Sequence, residues 1–266
     1  MPRQKSQLSG REHGEFPPLS KPASLYVVST TIGHPDDISL RALRTLSKVS
    51  IVAAESPARI QKLLTRHGIR ATITSYGPKN LAEKVLLLID RLRKRQDVAL
   101  VVDAGTPIIH DPGQLLIVAA YKNRLPVTVI PGPSAVTASV ALSGYSGDRF
   151  MFAGQLPQAN RAMLQCLNTF LNESYPTVFF VASRALPRML RQIADFFGKR
   201  ELTLAVDLTK AGELVLHGTA GSLIPRLPSL PHHSEITVVV GKRENRARTG
   251  GTEKAGQTTH RRCGDG

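Results

Sequence analysis

From residue 25 to 241 the chain alternates short β-rich runs, of which Val98–Val102 is continuously apolar, with longer stretches whose apolar positions recur every three or four residues. The short runs, Leu25–Ser29, Ser50–Ala54, Ala71–Ser75, Val98–Val102 and Val127–Ile130, are predicted as strands. Between them lie predicted helices: Ser39–Leu46, a helix carrying Ile60, Leu63 and Leu64 that Gly68 ends, Leu81–Arg95 and Leu115–Asn123. In Leu81–Arg95 the residues Val85, Leu88, Ile89 and Leu92 share one face. Strands that are apolar throughout are buried on both sides, and helices in the connections supply the cover, so a parallel α/β sheet is expected.

Pro131-Gly132-Pro133 interrupts this rhythm and opens a second unit. A helix of small residues, Ser134–Ser143, is followed by predicted strands at Arg149–Ala153, Thr177–Val181, Leu202–Asp207 and Ile236–Val240, with helices at 159–172 and 185–197. Hairpin-like spacing near the end predicts a mixed sheet. The expected organisation is an N-terminal α/β lobe at 25–132 and a C-terminal α/β lobe at 133–241. A cleft between lobes is the default ligand site. Residues 1–24 and 242–266, rich in Gly, Pro, Ser, Thr and charge, are expected to be disordered tails.

Composition changes one part of this picture. With 35 Lys and Arg against 20 Asp and Glu, the net charge is +15. The tails supply +6 and the stretch 25–241 the other +9. A polyanionic partner is one reading and plain solubility the other. The two cysteines, Cys166 and Cys263, offer neither a disulfide framework nor zinc spacing. No apolar run approaches the roughly 18 residues of a membrane span, and the amino terminus lacks a secretory signal's apolar core. A cytoplasmic protein is expected.

Candidate chemistry sits where open α/β sheets hold ligands, at the carboxyl ends of the strands. Four loops there combine Gly, Pro and short polar residues: Ser29–Asp37, Asp103–Gly113, Ile130–Ala135 and Phe152–Pro157. Neither G-x-G-x-x-G nor G-x-x-x-x-G-K-[ST] occurs, so the common nucleotide-binding motifs are excluded.

Together these loops resemble the tetrapyrrole-methylase superfamily of S-adenosylmethionine-dependent methyltransferases. They are most similar to its branch that 2′-O-methylates a cytidine of bacterial 16S ribosomal RNA. The likeness rests on L-Y-V-V-S-T-T-I-G-H-P-D-D-I-S-L-R-A-L at 25–43, A-A-E at 53–55 and D-A-G-T-P-I-I-H-D-P-G at 103–113. It continues in I-P-G-P-S-A at 130–135, D-R-F-M-F-A-G-Q-L-P at 148–157 and L-T-K at 208–210. It implies a two-lobed fold, with a mainly parallel first sheet and a mixed second one. S-adenosyl-L-methionine would lie in the cleft between the lobes, the chain would form a homodimer, and ribosomal RNA or the small ribosomal subunit would be its partner. The chain departs from the family pattern at Ser29, Thr31, His34 and Pro35, at Ser56–Ala58, at Val102 and His110, and around Ala182–Leu186. The cofactor loops keep the pattern better than the presumed RNA-side segments. A tetrapyrrole or other small-molecule acceptor, or an inactive RNA-binding paralogue, therefore stays open.

The resemblance implies cofactor contacts from Thr31, Gly33, Asp103, Gly105, Thr106, Ile108, Pro133, Ser134, Ala135, Phe152, Leu156, Leu208 and Thr209. Methyl transfer from a sulfonium disperses the charge on sulfur. A carboxylate near it, worth about 4 kcal/mol at 4 Å and an effective dielectric of 20, would stabilise mainly the ground state. Asp103 is therefore expected at the ribose or amino group, its alternative being a helix or loop cap. Phe152 and Leu156 read as pocket walls or as core. A ribose hydroxyl is a poor acid. Lys210 is the candidate to polarise it, or to act as a base if its pKa were strongly lowered, and Glu55 is the alternative catalytic acid group. Arg41, Arg59, Arg184 and Arg188 are candidate phosphate contacts. Lys84 and Arg91–Arg95 read as a solvated helix face, and His34, His110 and His232-His233 as loop residues with no metal site.

Overall fold

The computed structural model describes residues 23–171, 174–227 and 230–242. The expected disordered tails fall on 1–24 and 242–266, almost wholly outside them, as does Cys263. The chain divides into two compact units, Met1–Ser134 and Ala135–Gly266.

In the first unit β1 (Leu25–Val28), β2 (Ile51–Ala54), β3 (Ile73–Ser75), β4 (Val98–Val101) and β5 (Val127–Ile130) form an all-parallel sheet in the order β3-β2-β4-β1-β5. The connections are helical: α1 (Leu40–Leu46), α2 (Pro57–Arg66), α3 (Leu81–Arg93) and α4 (Gln114–Lys122). From β1 to β3 the chain moves one way across the sheet, and from β3 to β5 it moves back. Right-handed crossovers then place the two helix pairs on opposite faces. Ala42 and Leu46 of α1 and Ile60 and Leu64 of α2 pack with Val28, Val52, Ala99 and Val101. Leu88 and Leu92 of α3 and Leu116 and Ala120 of α4 pack with Leu25, Ile51, Val98 and Leu100. All four residues of β2 and of β4 are buried, as two-sided cover requires. Each fully buried Leu or Ile there contributes about 1.5–3 kcal/mol.

Helix ends are set locally. Ser39 accepts a hydrogen bond from the Ala42 N–H at 3.1 Å and caps α1, while Pro57 opens α2. α2 closes with Gly68 N–H donating to Thr65 and Ile69 N–H to Leu64, a Schellman motif with Gly68 at φ +68°.

In the second unit α5 (Ala135–Ser143) precedes a five-stranded mixed sheet in the order β6-β7-β10-β8-β9. Its strands are β6 (Met151–Gln155), β7 (Thr177–Ala182), β8 (Glu201–Val206), β9 (Leu214–Thr219) and β10 (Glu235–Val240). Only β6 and β7 pair in parallel. α6 (Asn160–Phe170), α7 (Leu186–Phe196) and the short α8 (Ala220–Leu223) cover one face through Met163, Leu167, Met189, Leu190 and Leu223. α5 covers the other with Val136 and Val140.

Two expectations need correction. The strand expected at Arg149–Ala153 runs from Met151 to Gln155, because Gly154 at φ +73° and a register shift carry it onward. β9 was not anticipated: its apolar run is only Leu214-Val215-Leu216, and as an edge strand it leaves Val215 exposed.

Candidate functional site

The carboxyl edge of the first sheet gathers the loops after β1, β4 and β5. The Thr30 N–H donates to Gly105 O at 2.9 Å and the Gly105 N–H to Thr31 O at 3.1 Å, so the first two loops are zipped together by their backbones. Buried hydroxyls lock the pairing, with Ser29 Oγ 2.9 Å from Thr106 Oγ1 and Thr30 Oγ1 donating to Val102 O at 3.0 Å. The third loop lies against them, since the Ser29 N–H donates to Ile130 O at 3.0 Å. A Cβ on Gly132 would sit 3.0 Å from Ser29 Cβ, which explains a glycine there. Thr31, Gly33, Gly105, Thr106, Ile108, Pro133 and Ser134 thus belong to one clustered edge.

The loop after β4 is strained. Gly105 stands at φ +80°, Ile108 at +79° and His110 at +66°. A β-branched residue in the left-handed region is rare and costs about 1–3 kcal/mol. Ile108 also leaves 39% of its surface exposed. Strain of this kind collects where a loop is shaped to meet something.

Asp103 does not cap its own loop. Its carboxylate accepts from Ser56 N–H at 3.1 Å and Ser56 Oγ at 2.7 Å, and pairs with Arg59 at 3.2 Å. It therefore holds the start of α2, where the helix dipole favours negative charge. A carboxylate has about four acceptor positions, and three are engaged. The remaining one, on a group only 19% exposed, fits a ribose hydroxyl or an amino group. Arg59, though exposed like Arg41, is tied to Asp103. Glu55, at the tip of β2, is half-buried and has no hydrogen-bond or ion-pair partner among the described residues. His34 caps a 3₁₀ turn by accepting from the Asp36 N–H at 3.3 Å, and His110 is exposed.

In the second unit β6, β7 and β8 end at one edge, where β10 begins. This brings together the loop after β6, exposed Arg184 and Arg188, and the Asp207–Glu213 loop that joins β8 to β9. Arg188 Nη1 donates to Gln158 O. Asp207 and Thr209 both take left-handed backbone, at φ +48° and +62°, and the Thr209 N–H donates to Glu213 Oε2 at 2.6 Å. Lys210 Nζ lies 2.9 Å from Asp207 Oδ1 and 3.2 Å from Glu235 Oε2. Asp207 Oδ1 also accepts the Glu235 N–H.

These contacts decide the protonation of Lys210. Burial acts to lower its pKa, but the hydrogen bond to Asp207 and the charges of Glu235 and Asp207 outweigh that, and the net direction is upward. For Asp207 burial acts upward, while the bonds from Lys210, Glu235 N–H and Ser234, with the Lys210 charge, bring it below the ordinary value. Its surroundings thus favour the ammonium form of Lys210 over the neutral amine that a base would need. Leu156 is wholly buried in the core beneath α6 and α7, so its side chain is no pocket wall. Phe152 packs edge-on against Phe180, with centroids 4.9 Å apart, on the α5 face. Leu208 is buried.

The sequence reasoning missed Ser56 as the partner of Asp103, and Asp207 and Glu235 as partners of Lys210. Asp207 was visible as the acid just before L-T-K. Glu235 was not, because only the central position of β10 brings it there. Among the described residues no cluster of His, Cys, Asp and Glu could hold a metal ion, and no helix is long and apolar enough to cross a membrane.

Residues 24–224 match the family model of tetrapyrrole (corrin/porphyrin) methylases. Among curated proteins, ribosomal RNA small subunit methyltransferase I of Thermotoga maritima is 35% identical over 221 residues, covering 83% of this chain and 99% of that protein. The protein of the same name from Mesorhizobium japonicum is 37% identical over 88% of this chain and 80% of its own. Among solved structures, uroporphyrin-III C-methyltransferase of Thermus thermophilus, complexed with S-adenosyl homocysteine, aligns over 82% of this chain and 97% of its own. Its TM-score is 0.58 at 16% identity, a likeness of fold. The matched span contains both loop clusters, and on this evidence the chain belongs to the tetrapyrrole methylase family.

Proposed function

We propose that this protein is an S-adenosylmethionine-dependent methyltransferase that methylates the 2′-oxygen of a cytidine ribose in 16S ribosomal RNA. The observation that carries this reading is the match to ribosomal RNA small subunit methyltransferase I, which runs through 99% of the Thermotoga protein. S-adenosylmethionine supplies an activated methyl on a sulfonium. When bound, it would give up this methyl to the ribose oxygen, its S–CH₃ bond breaking to leave a thioether while a base took the hydroxyl proton.

The residues fit such a cofactor. Asp103 keeps one acceptor position for a ribose or amino group, and the Gly105 and Gly132 loops leave their backbones bare for close approach. Thr31, Gly33, Thr106, Ile108, Pro133, Ser134, Ala135, Leu208 and Thr209 remain the proposed lining, and Phe152 and Leu156 support it from the core. Lys210 acts as an ammonium that stabilises developing negative charge, and Glu55 is the proposed proton acceptor. Arg41, Arg184 and Arg188 are proposed to meet phosphates, Arg59 chiefly to hold Asp103. A homodimer working in the cytoplasm completes the proposal, with lobes at 25–132 and 133–241.

Calorimetric titration with S-adenosylmethionine, followed by transfer of tritiated methyl to small subunits lacking the modification, tests it. The expected result is saturable one-site binding and label in RNA. Binding without transfer to RNA would remove the acceptor assignment, and absence of binding would make the protein an inactive relative.

A further inference from the structure

The opposite edge of the first sheet, where the strands begin, carries a row of cations that no step of methyl transfer uses. Register fixes their neighbourhood: Leu25 pairs with Val98 and Val127, and Ile51 with Val98. The loops entering β2, β3, β4 and β5 therefore line one edge, about 19 Å wide at roughly 4.8 Å per strand spacing. Lys48, Arg70, Arg93, Arg95, Lys122 and Arg124 lie on these loops or on the last residues of the helices leading into them, and all six are exposed. Arg93 donates to Asn123 Oδ1, which ties the β4 and β5 entry loops together. The acids nearby are already engaged, Asp90 with Lys94 at 2.8 Å and Asp97 with the Ser24 N–H at 2.8 Å.

A second observation concerns the backbone. α3 and α4 end in the same Schellman motif as α2: Arg95 N–H donates to Leu92 and Gln96 N–H to Arg91, then Arg124 N–H to Tyr121 and Leu125 N–H to Ala120. The left-handed position of this motif favours glycine, and α2 has Gly68 there. α3 and α4 instead place Arg95 at φ +61° and Arg124 at +55°. Arginine thus stands, twice at the same edge, where glycine would relax the chain.

We infer that this basic edge, led by Arg95 and Arg124, is a second docking surface for the phosphate backbone of the RNA, about 13 Å or more from the methyl-transfer loops given strands of four residues. The inference rests on the RNA reading above and adds where a large RNA is gripped away from the reacting nucleotide. Cations on rigid loop tips, with the exposed ring of Tyr121 among them, suit phosphates and a stacked base better than insertion into lipid. Cations at helix C-termini also face carbonyl dipoles, and the test separates that role.

The full-length protein and its Arg95→Gly/Arg124→Gly variant are compared for binding to 16S ribosomal RNA across a salt series. Glycine suits both positions, so the unfolding midpoint is expected to hold or rise and S-adenosylmethionine affinity to stay unchanged. Two lost phosphate contacts lower the log–log salt slope by about 1.4–1.8, or roughly 25- to 60-fold in affinity at 0.1 M salt. An Arg95→Lys/Arg124→Lys variant restores the slope. Unchanged RNA binding would overturn the inference, as would a lowered midpoint with RNA binding intact, which is the dipole role. Binding to phosphatidylglycerol vesicles in place of RNA would overturn it too. Wild-type protein that bound no RNA would sink the acceptor assignment as well, whereas wild-type binding that the glycine variant matched would sink only the docking surface.

Discussion

Ile108 is where residue chemistry speaks most directly about function. Its side chain is partly exposed and its backbone sits in the left-handed region, so the loop carries a backbone cost of about 1–3 kcal/mol. Replacing it by glycine removes that cost and adds about 0.5–1 kcal/mol of unfolded-state entropy. Ile108→Gly is accordingly expected to match or slightly exceed the wild type in chemical denaturation while its S-adenosylmethionine Kd rises several-fold. A marked loss of stability with unaltered Kd would make Ile108 a structural residue. None of this strain was legible in the sequence, where Ile108-Ile109 reads as an apolar pair. The glycine at 105 was legible, because a strand-end acid followed by Ala-Gly-Thr-Pro has few other uses. Asp103 was half legible: its position at the carboxyl end of a strand followed from the sequence, whereas its grip on Ser56 and Arg59 depends on β2 and β4 being neighbours.

At the scale of elements, the parallel sheet was readable because its central strands β2 and β4 are apolar throughout and the connections between strands are helices with an apolar face. The second sheet was less so. β10 is the last strand in sequence yet pairs with both β7 and β8, a choice made by long-range packing and not by any local run. The same insertion brings Glu235 to Lys210 and Asp207, and this trio has a pH signature. Lys210 is raised, so its contribution is fully present below its unfolded pKa near 10.5 and is lost as pH climbs through the higher folded value. Asp207 is lowered, so its contribution is present above its unfolded value near 3.8 and is lost as pH falls through the lower folded value. The trio therefore stabilises the β8–β9 loop over a plateau between these limits. Unfolding midpoints recorded from pH 3 to 11 are expected to fall at both ends for the wild type and to fall less at the acid end for Asp207→Asn. Equal acid sensitivity in both proteins would remove Asp207 from the account.

For the whole molecule, composition supplied only an excess of positive charge, and the fold gives part of that charge a place. Loops bearing Gly, Pro and short polar residues occupy the carboxyl edge of the first sheet, and arginines and lysines occupy its amino edge. Both follow from one parallel topology, in which every helix must return its C-terminus to the same side. The central claim is that the protein moves a methyl group from S-adenosylmethionine to a ribose oxygen of small-subunit RNA. It is tested most directly by incubating the full-length protein and S-adenosylmethionine with small subunits from cells lacking the modification, then digesting the RNA to nucleosides for mass spectrometry. The account predicts a gain of one 2′-O-methylcytidine per subunit that requires both protein and cofactor. A methyl found on a base, or no gain in any nucleoside despite cofactor binding, would contradict it.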